Sequence, residues 1–263
     1  MSSKAVKITA KTSLKGKWIS AIASCCILIF SFMIASNSVS VLSIVTGEFI
    51  AELLLLLLFV FLICPLILGL IRYFWRILFD VQDNPLSVFY YFSNKLIYKR
   101  TLGLILFLVF KFIIWGLFLK IPLYITELIS NDNVYEFFKM PIPIWTANLS
   151  GVKGFLDVIS TVLVGFIMLK YYLAPMLFVA DDNIEPAEAM HMSLTISKKT
   201  TIDYIYLIFS FIGWILLSFT VIPLIFTLPY FITSYLVHSR FAVADYNKLI
   251  KQINDNLYQT YSI

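Results

Sequence analysis

The chain has 263 residues, of which 60% are hydrophobic, 17% aromatic and only 13% charged, with a net charge of +5. Soluble domains carry nearer half apolar and a quarter charged residues. A chain of this size and composition leaves too little polar surface to cover a water-soluble globule. These numbers exclude a soluble enzyme or binding module and define an all-α polytopic membrane protein, because helices satisfy their own backbone groups inside a bilayer.

Five lysines, Lys4, Lys7, Lys11, Lys15 and Lys17, precede the first apolar run, Trp18 to Ser36. This run is long for the apolar region of a signal peptide and has no clear small-x-small exit followed by a soluble domain, so it reads as a retained anchor. Further runs extend from Phe49 to Leu70, Thr101 to Leu123, Phe155 to Leu177, Ile205 to Val221 and Pro223 to Val237. About 20 apolar residues cross the hydrocarbon as a helix. About six transmembrane helices in one integral membrane domain, residues 1–263, are therefore expected. The last two runs are short, and Thr220 to Pro223 must turn between them. Two short spans or one kinked or re-entrant element both fit, since Pro223 lacks an N–H and suits the first turn of a helix.

Basic residues set the orientation. Arg72, Arg76, Lys95, Lys99 and Arg100 follow the second run, Lys170, Lys198 and Lys199 the fourth, and Arg240, Lys248 and Lys251 the sixth. The intervening loops hold Glu48, or Lys139 and Lys153 against Glu127, Asp132 and Glu136. The alternation places both termini in the cytoplasm. Trp18, Tyr73, Trp75, Tyr98, Tyr171, Tyr172, Tyr204 and Tyr206 fall near the inner ends, where amphipathic rings anchor. Topology and attraction to anionic lipid account for the net charge, so no nucleic-acid partner is called for.

Two inner segments share a plan. After the second run, Asn84 is a cap and Pro85 a first helical residue, with Phe89, Phe92 and Leu96 on a common side before Lys99 and Arg100. After the fourth, "ADDNIEPAEAMHMSLTISKK" (Ala180 to Lys199) offers Glu185 as a cap, Pro186 at the first position and Glu188 in a capping-box arrangement. At 100° per residue Glu188, His191, Thr195, Lys198 and Lys199 share one sector. A short interfacial helix is expected at each place. The parallel admits an internal duplication as well as the simpler reading that cytoplasmic loops with interfacial helices look alike.

Chemistry is sparse. Cys25, Cys26 and Cys64 lie in apolar runs without a CxxC pair or a companion His, and His191 and His238 have no partners at ligand spacing. No GxSxG, HExxH or P-loop pattern occurs. Neither catalytic residues nor a metal or other cofactor is expected. Lys111, in the middle of the third run, is the sharpest intramembrane polar residue; Asp157 and Glu52 are its candidate partners, although both sit nearer the outer side. The alternative is that Lys111 snorkels. Glu188, His191, Lys198 and Lys199 form a candidate cytoplasmic interaction helix, and Gly213 with Trp214 a candidate helix-packing site, small residues letting helices approach closely.

The order of Asp181, Asp182, Glu188, Ala189 and Ser193, then Ser210-Phe211-Ile212-Gly213-Trp214 and Pro229-Tyr230, resembles the bacterial integral-membrane family catalogued as domain of unknown function 975. Ser13 to Trp18 and Pro65 to Gly69 are also similar to that family. The chain departs from it in lacking an Ile-Pro-Gly turn before the aspartates and a Gly-containing basic turn after them, and in an enlarged outer loop from about Glu127 to Gly154. The resemblance implies a membrane fold and supplies no active site. The expectation is a non-enzymatic multi-pass protein of a bacterial cytoplasmic membrane, an accessory or partner-binding component in envelope homeostasis or export. The alternative is a small transporter or channel for a hydrophobic or anionic solute, with Lys111 in its path.

Overall fold

A computed structural model describes residues 2–81, 83–130, 149–218 and 221–261, and these are helical with no strand. Helix α1 (Ser3–Ser13) is followed by α2 (Trp18–Thr46) and α3 (Glu48–Leu58), which passes through a π turn (Phe59–Ile63) into α4 (Cys64–Leu78). A 3-10 helix (Pro85–Phe92) leads to α5 (Lys95–Leu119), α6 (Ile121–Ile129) and α7 (Leu149–Met168). A 3-10 turn (Leu169–Tyr171), α8 (Ala174–Ala180), α9 (Pro186–Ser210), α10 (Ile212–Leu217) and α11 (Val221–Tyr261) complete the order. Among the described residues, five stretches are long and apolar enough to cross a membrane: Trp18–Ile44, Glu48–Leu78, Lys95–Leu119, Gly151–Ala180 and Pro186–Leu217. Their large apolar side chains are widely exposed, as a bilayer solvent requires.

The chain divides into two compact units. One comprises residues 1–106 and 172–263, the other Phe107–Tyr171. The core of the first is built from Leu66, Leu70, Tyr73 and Phe74 of α4, Leu173 just before α8 and Met176 within it, Ile196 and Leu207 of α9 and Leu236 of α11, all 2% exposed or less. From Thr233 to Ser239 every residue of α11 is buried, so this stretch is enclosed on all sides. Gly16, at φ +79°, makes the turn from α1 into α2 in the left-handed region that glycine enters without strain.

Several expected boundaries move. The first apolar helix continues ten residues beyond Ser36 to Thr46, and the second starts at Glu48, with Gly47 between them. The first inner segment has the expected cap, Leu86 N–H donating to Asn84 Oδ1 at 3.0 Å, but winds as a 3-10 helix. Its period of three buries Val88 and Tyr91 and leaves Leu86 and Phe89 exposed. The second inner segment is not a separate short helix: Pro186 starts one helix that runs unbroken to Ser210. Glu185 stands at its cap in extended backbone, yet its side chain makes no capping hydrogen bond. With one inner segment a 3-10 helix of eight residues and the other an α-helix of 25, their likeness stops at the Asn and Pro of the turn. Pro223 falls in the first turn of α11, and the preceding residues 219–220 lie outside the described set.

Candidate functional site

The turn that carries Asp181 and Asp182 is held by Arg72 and Arg100, two of the basic residues that mark the inner face. Arg100 donates through both terminal nitrogens, to the carbonyls of Asp182 and Ile184. Arg72 lies 3.6 Å from Asp182 Oδ1, with its guanidinium 3.3 Å from the Tyr90 ring centroid. Arg76 pairs with Asp83 at 3.1 Å and Lys17 with Asp80 at 2.8 Å. Asp181 Oδ1 accepts from Asn183 N–H at 2.8 Å, closing the turn locally. Each acidic turn is thus held by its own basic residues, Lys17 and Arg76 at the first and Arg72 and Arg100 at the second, where Arg100 meets backbone carbonyls.

A cavity of about 70 Å³ opens at the second turn, lined by Tyr90, Tyr91, Ile97, Arg100, Phe178 and Asp182. Tyr91 is 2% exposed, and its hydroxyl has no hydrogen-bond partner among the described residues. Burial pushes the Tyr91 hydroxyl well above the usual tyrosine range, so it stays a neutral donor. The volume accommodates water, which a buried unpaired hydroxyl favours. The chemistry on offer is polar anchoring.

Backbone contact brings these elements close together. A Cβ on Gly69 of α4 would stand 1.8 Å from the Val88 carbonyl oxygen, so only glycine lets α4 meet the 3-10 helix. Gly103 of α5 similarly faces Pro186, the first residue of α9, at 3.3 Å. Tyr98 at the start of α5 donates to the Phe61 carbonyl within the π turn at 2.8 Å.

A second polar group gathers around α11. Tyr172 and Tyr204 stack at 4.2 Å and 9°, His238 lies 5.9 and 5.6 Å from their centroids, and Tyr235 donates to the Tyr172 carbonyl at 2.6 Å. His238 is therefore a core residue, 4% exposed, although it follows the last apolar run. His238 Nδ1 and Ser234 Oγ are buried without hydrogen-bond partners among the described residues. No group of three or more metal-ligating side chains occurs among the described residues.

The expected site residues fall apart into separate places. Glu188, His191, Lys198 and Lys199 all lie on the exposed side of α9, while Ala189, Met190, Ser193, Ile196 and Ser197 are buried on the other. Asp157 pairs with Lys120 at 2.9 Å, not with Lys111, and the bond raises the Lys120 ammonium above its ordinary value. Lys111 is half-buried with no ion pair among the described residues, and Glu52 is exposed on α3. Gly213 has nothing within 4 Å of a built Cβ, so it is not where helices approach; Trp214 instead meets Tyr230 edge-on at 6.0 Å. Close approach belongs to Gly69, which the resemblance to Pro65–Gly69 touched without assigning it a role.

Apolar helices of membrane-spanning length and widely exposed apolar side chains define a helical membrane protein. The chain belongs to the family described as "Protein of unknown function (DUF975)", whose pattern matches residues 1–241. No curated protein and no solved structure matched it.

Proposed function

We propose that this is a non-enzymatic accessory protein of a bacterial cytoplasmic membrane, which binds a membrane-protein partner through the exposed face of α9. The observation that carries the reading is the two-sidedness of that helix. Ser193, Ile196, Tyr204 and Leu207 fix one side in the core, while Glu188, His191, Lys198 and Lys199 project with no side-chain partner among the described residues. A helix anchored so firmly on one side holds the polar groups of the other in fixed register, which lowers the ordering cost of binding. Envelope homeostasis or export is the setting we assign to it.

Four full crossings and a re-entrant pair account for the helices better than six crossings. Arg100 holds the two carbonyls just before α9, and Lys7 of α1 donates to the Ser210 carbonyl at its end. Lys7 also sits 4.2 Å from the Phe211 ring centroid, and burial there lowers its ammonium below the ordinary lysine value. Both ends of α9 thus meet basic residues of the side that the positive charge marks as inner. Beyond it, the Phe226 ring lies 6.1 Å from Trp18, the first residue of α2. At about 1.5 Å per residue, the start of α11 at Val221 rises only about 8 Å past Phe226, against a hydrocarbon core of about 30 Å. The pair 205–237 then enters and leaves by the same face, and both termini stay on the cytoplasmic side.

The test is a pull-down of the full-length protein from native membranes in mild detergent, with parallel purification of a Glu188→Ala, His191→Ala, Lys198→Ala variant. A protein recovered in stoichiometric amount with the wild type and lost from an equally abundant, equally heat-stable variant supports the reading. A homogeneous species carrying only lipid or solute in both cases overturns it.

A further inference from the structure

We infer that the groove lined by residues of α1, α2, α10 and α11 binds one acyl chain of an anionic phospholipid, with the lipid phosphate on Lys11. The groove has a volume of about 450 Å³ and is lined by Lys11, Trp18, Trp214, Pro223, Phe226 and Tyr230. This size falls in the range of pockets that enclose a small apolar ligand. Among the described residues, five of the six lining side chains are aromatic or proline, and the sixth is a cation at the rim. An apolar trough with a single positive group at its mouth complements an amphiphile with a negative head, and neither a neutral solute nor a polar peptide.

The surrounding residues restrict the occupant further. Trp18, Trp214 and Tyr230 are the ring types that concentrate at the boundary between head groups and chains. Lys7, one turn before Lys11, is already committed to the Ser210 carbonyl and the Phe211 ring. Lys11 is exposed and has no side-chain partner among the described residues, so its charge is available. Before Glu48 the sequence has no acidic residue to compete for it. Val6, Ala10 and Leu14 are buried, which fixes α1 against the fold and holds Lys11 over the groove. The site is built from α1, α2, α10 and α11 and uses none of the exposed α9 residues, so it stands or falls independently of the partner-binding reading.

Full-length protein is reconstituted in phosphatidylcholine vesicles carrying a trace of either phosphatidylglycerol or phosphatidylcholine with a photoactivatable acyl chain, and labelled peptides are mapped by mass spectrometry. Because both leaflets have the same composition, the direction of insertion does not affect the result. Labelling at Trp214 and Phe226 is expected to favour phosphatidylglycerol about fivefold, the factor that roughly 1 kcal/mol per lysine near an anionic lipid supplies. Lys11→Gln removes that preference and Lys11→Arg retains it. Lys4→Gln, an exposed lysine of the same helix that does not line the groove, leaves it unchanged. Equal labelling by both lipids in the wild type overturns the proposal, as does the absence of label at these residues. An equal loss with Lys4→Gln also overturns it, because diffuse surface charge and not a site would then explain the preference. Should Lys11→Gln fail to assemble, the head-group comparison in the wild type decides the matter alone.

Discussion

Gly69 and Gly213 show how little residue type says about role. Both are glycines in apolar helices, yet a Cβ at Gly69 would run into the Val88 carbonyl at 1.8 Å, while one at Gly213 meets nothing within 4 Å. The first contact is with backbone, which cannot swing aside. Gly69→Ala is therefore expected to destabilise the detergent-solubilised protein by about 1–3 kcal/mol, the cost of overpacking. Gly213→Ala should leave melting unchanged or raise it by up to about 1 kcal/mol, since alanine is the better helix former. Thermal melting of the two variants side by side checks this, and equal losses would contradict it. The arginines carry the same lesson: Arg72 and Arg100 were legible as topology signals, but their partners lie 110 and 82 residues away at Asp182, beyond the reach of any local pattern.

At the scale of the element, periodicity worked where a helix had a single job and failed where it had two. The exposed set Glu188, His191, Lys198 and Lys199 emerges correctly from a 100° wheel, because one face of α9 is buried throughout. The length of that helix does not: composition changes near Tyr204, but the backbone continues to Ser210 because nothing in the sequence breaks it. The turn between α10 and α11 offers a direct check on the re-entrant pair. In a background with Cys25, Cys26 and Cys64 replaced, a cysteine at Glu48 should react with a membrane-impermeant thiol reagent applied to intact cells. A cysteine at Ser218 should not react until the inner face is exposed in inverted vesicles. Labelling of Ser218→Cys from outside would restore six crossings.

Across the whole molecule, charge is distributed so that ion pairs gather at helix ends. Lys111 is the exception. A cation near the middle of a span costs about 2.5–3.5 kcal/mol on insertion scales, and Asp157, its candidate partner in the same unit, is occupied by Lys120 at 2.9 Å. Lys111→Met should therefore give at least wild-type abundance and melting temperature, with partner recovery in the pull-down intact. Loss of a cellular phenotype from that variant without loss of folded protein would turn attention to transport. The sequence by itself determined the membrane class, the approximate helices, the family and the exposed face of α9, because hydropathy, helical period and terminal charge are properties of neighbouring residues. Only the tertiary structure decided that α4 meets the 3-10 helix backbone at Gly69, that Arg72 and Arg100 grip the aspartate turn, and that His238 is core. It also brought Lys11 and Trp18 together with Trp214, Phe226 and Tyr230 around one groove. Each of these joins residues far apart in the chain, and which distant side chains meet is fixed by how the helices pack.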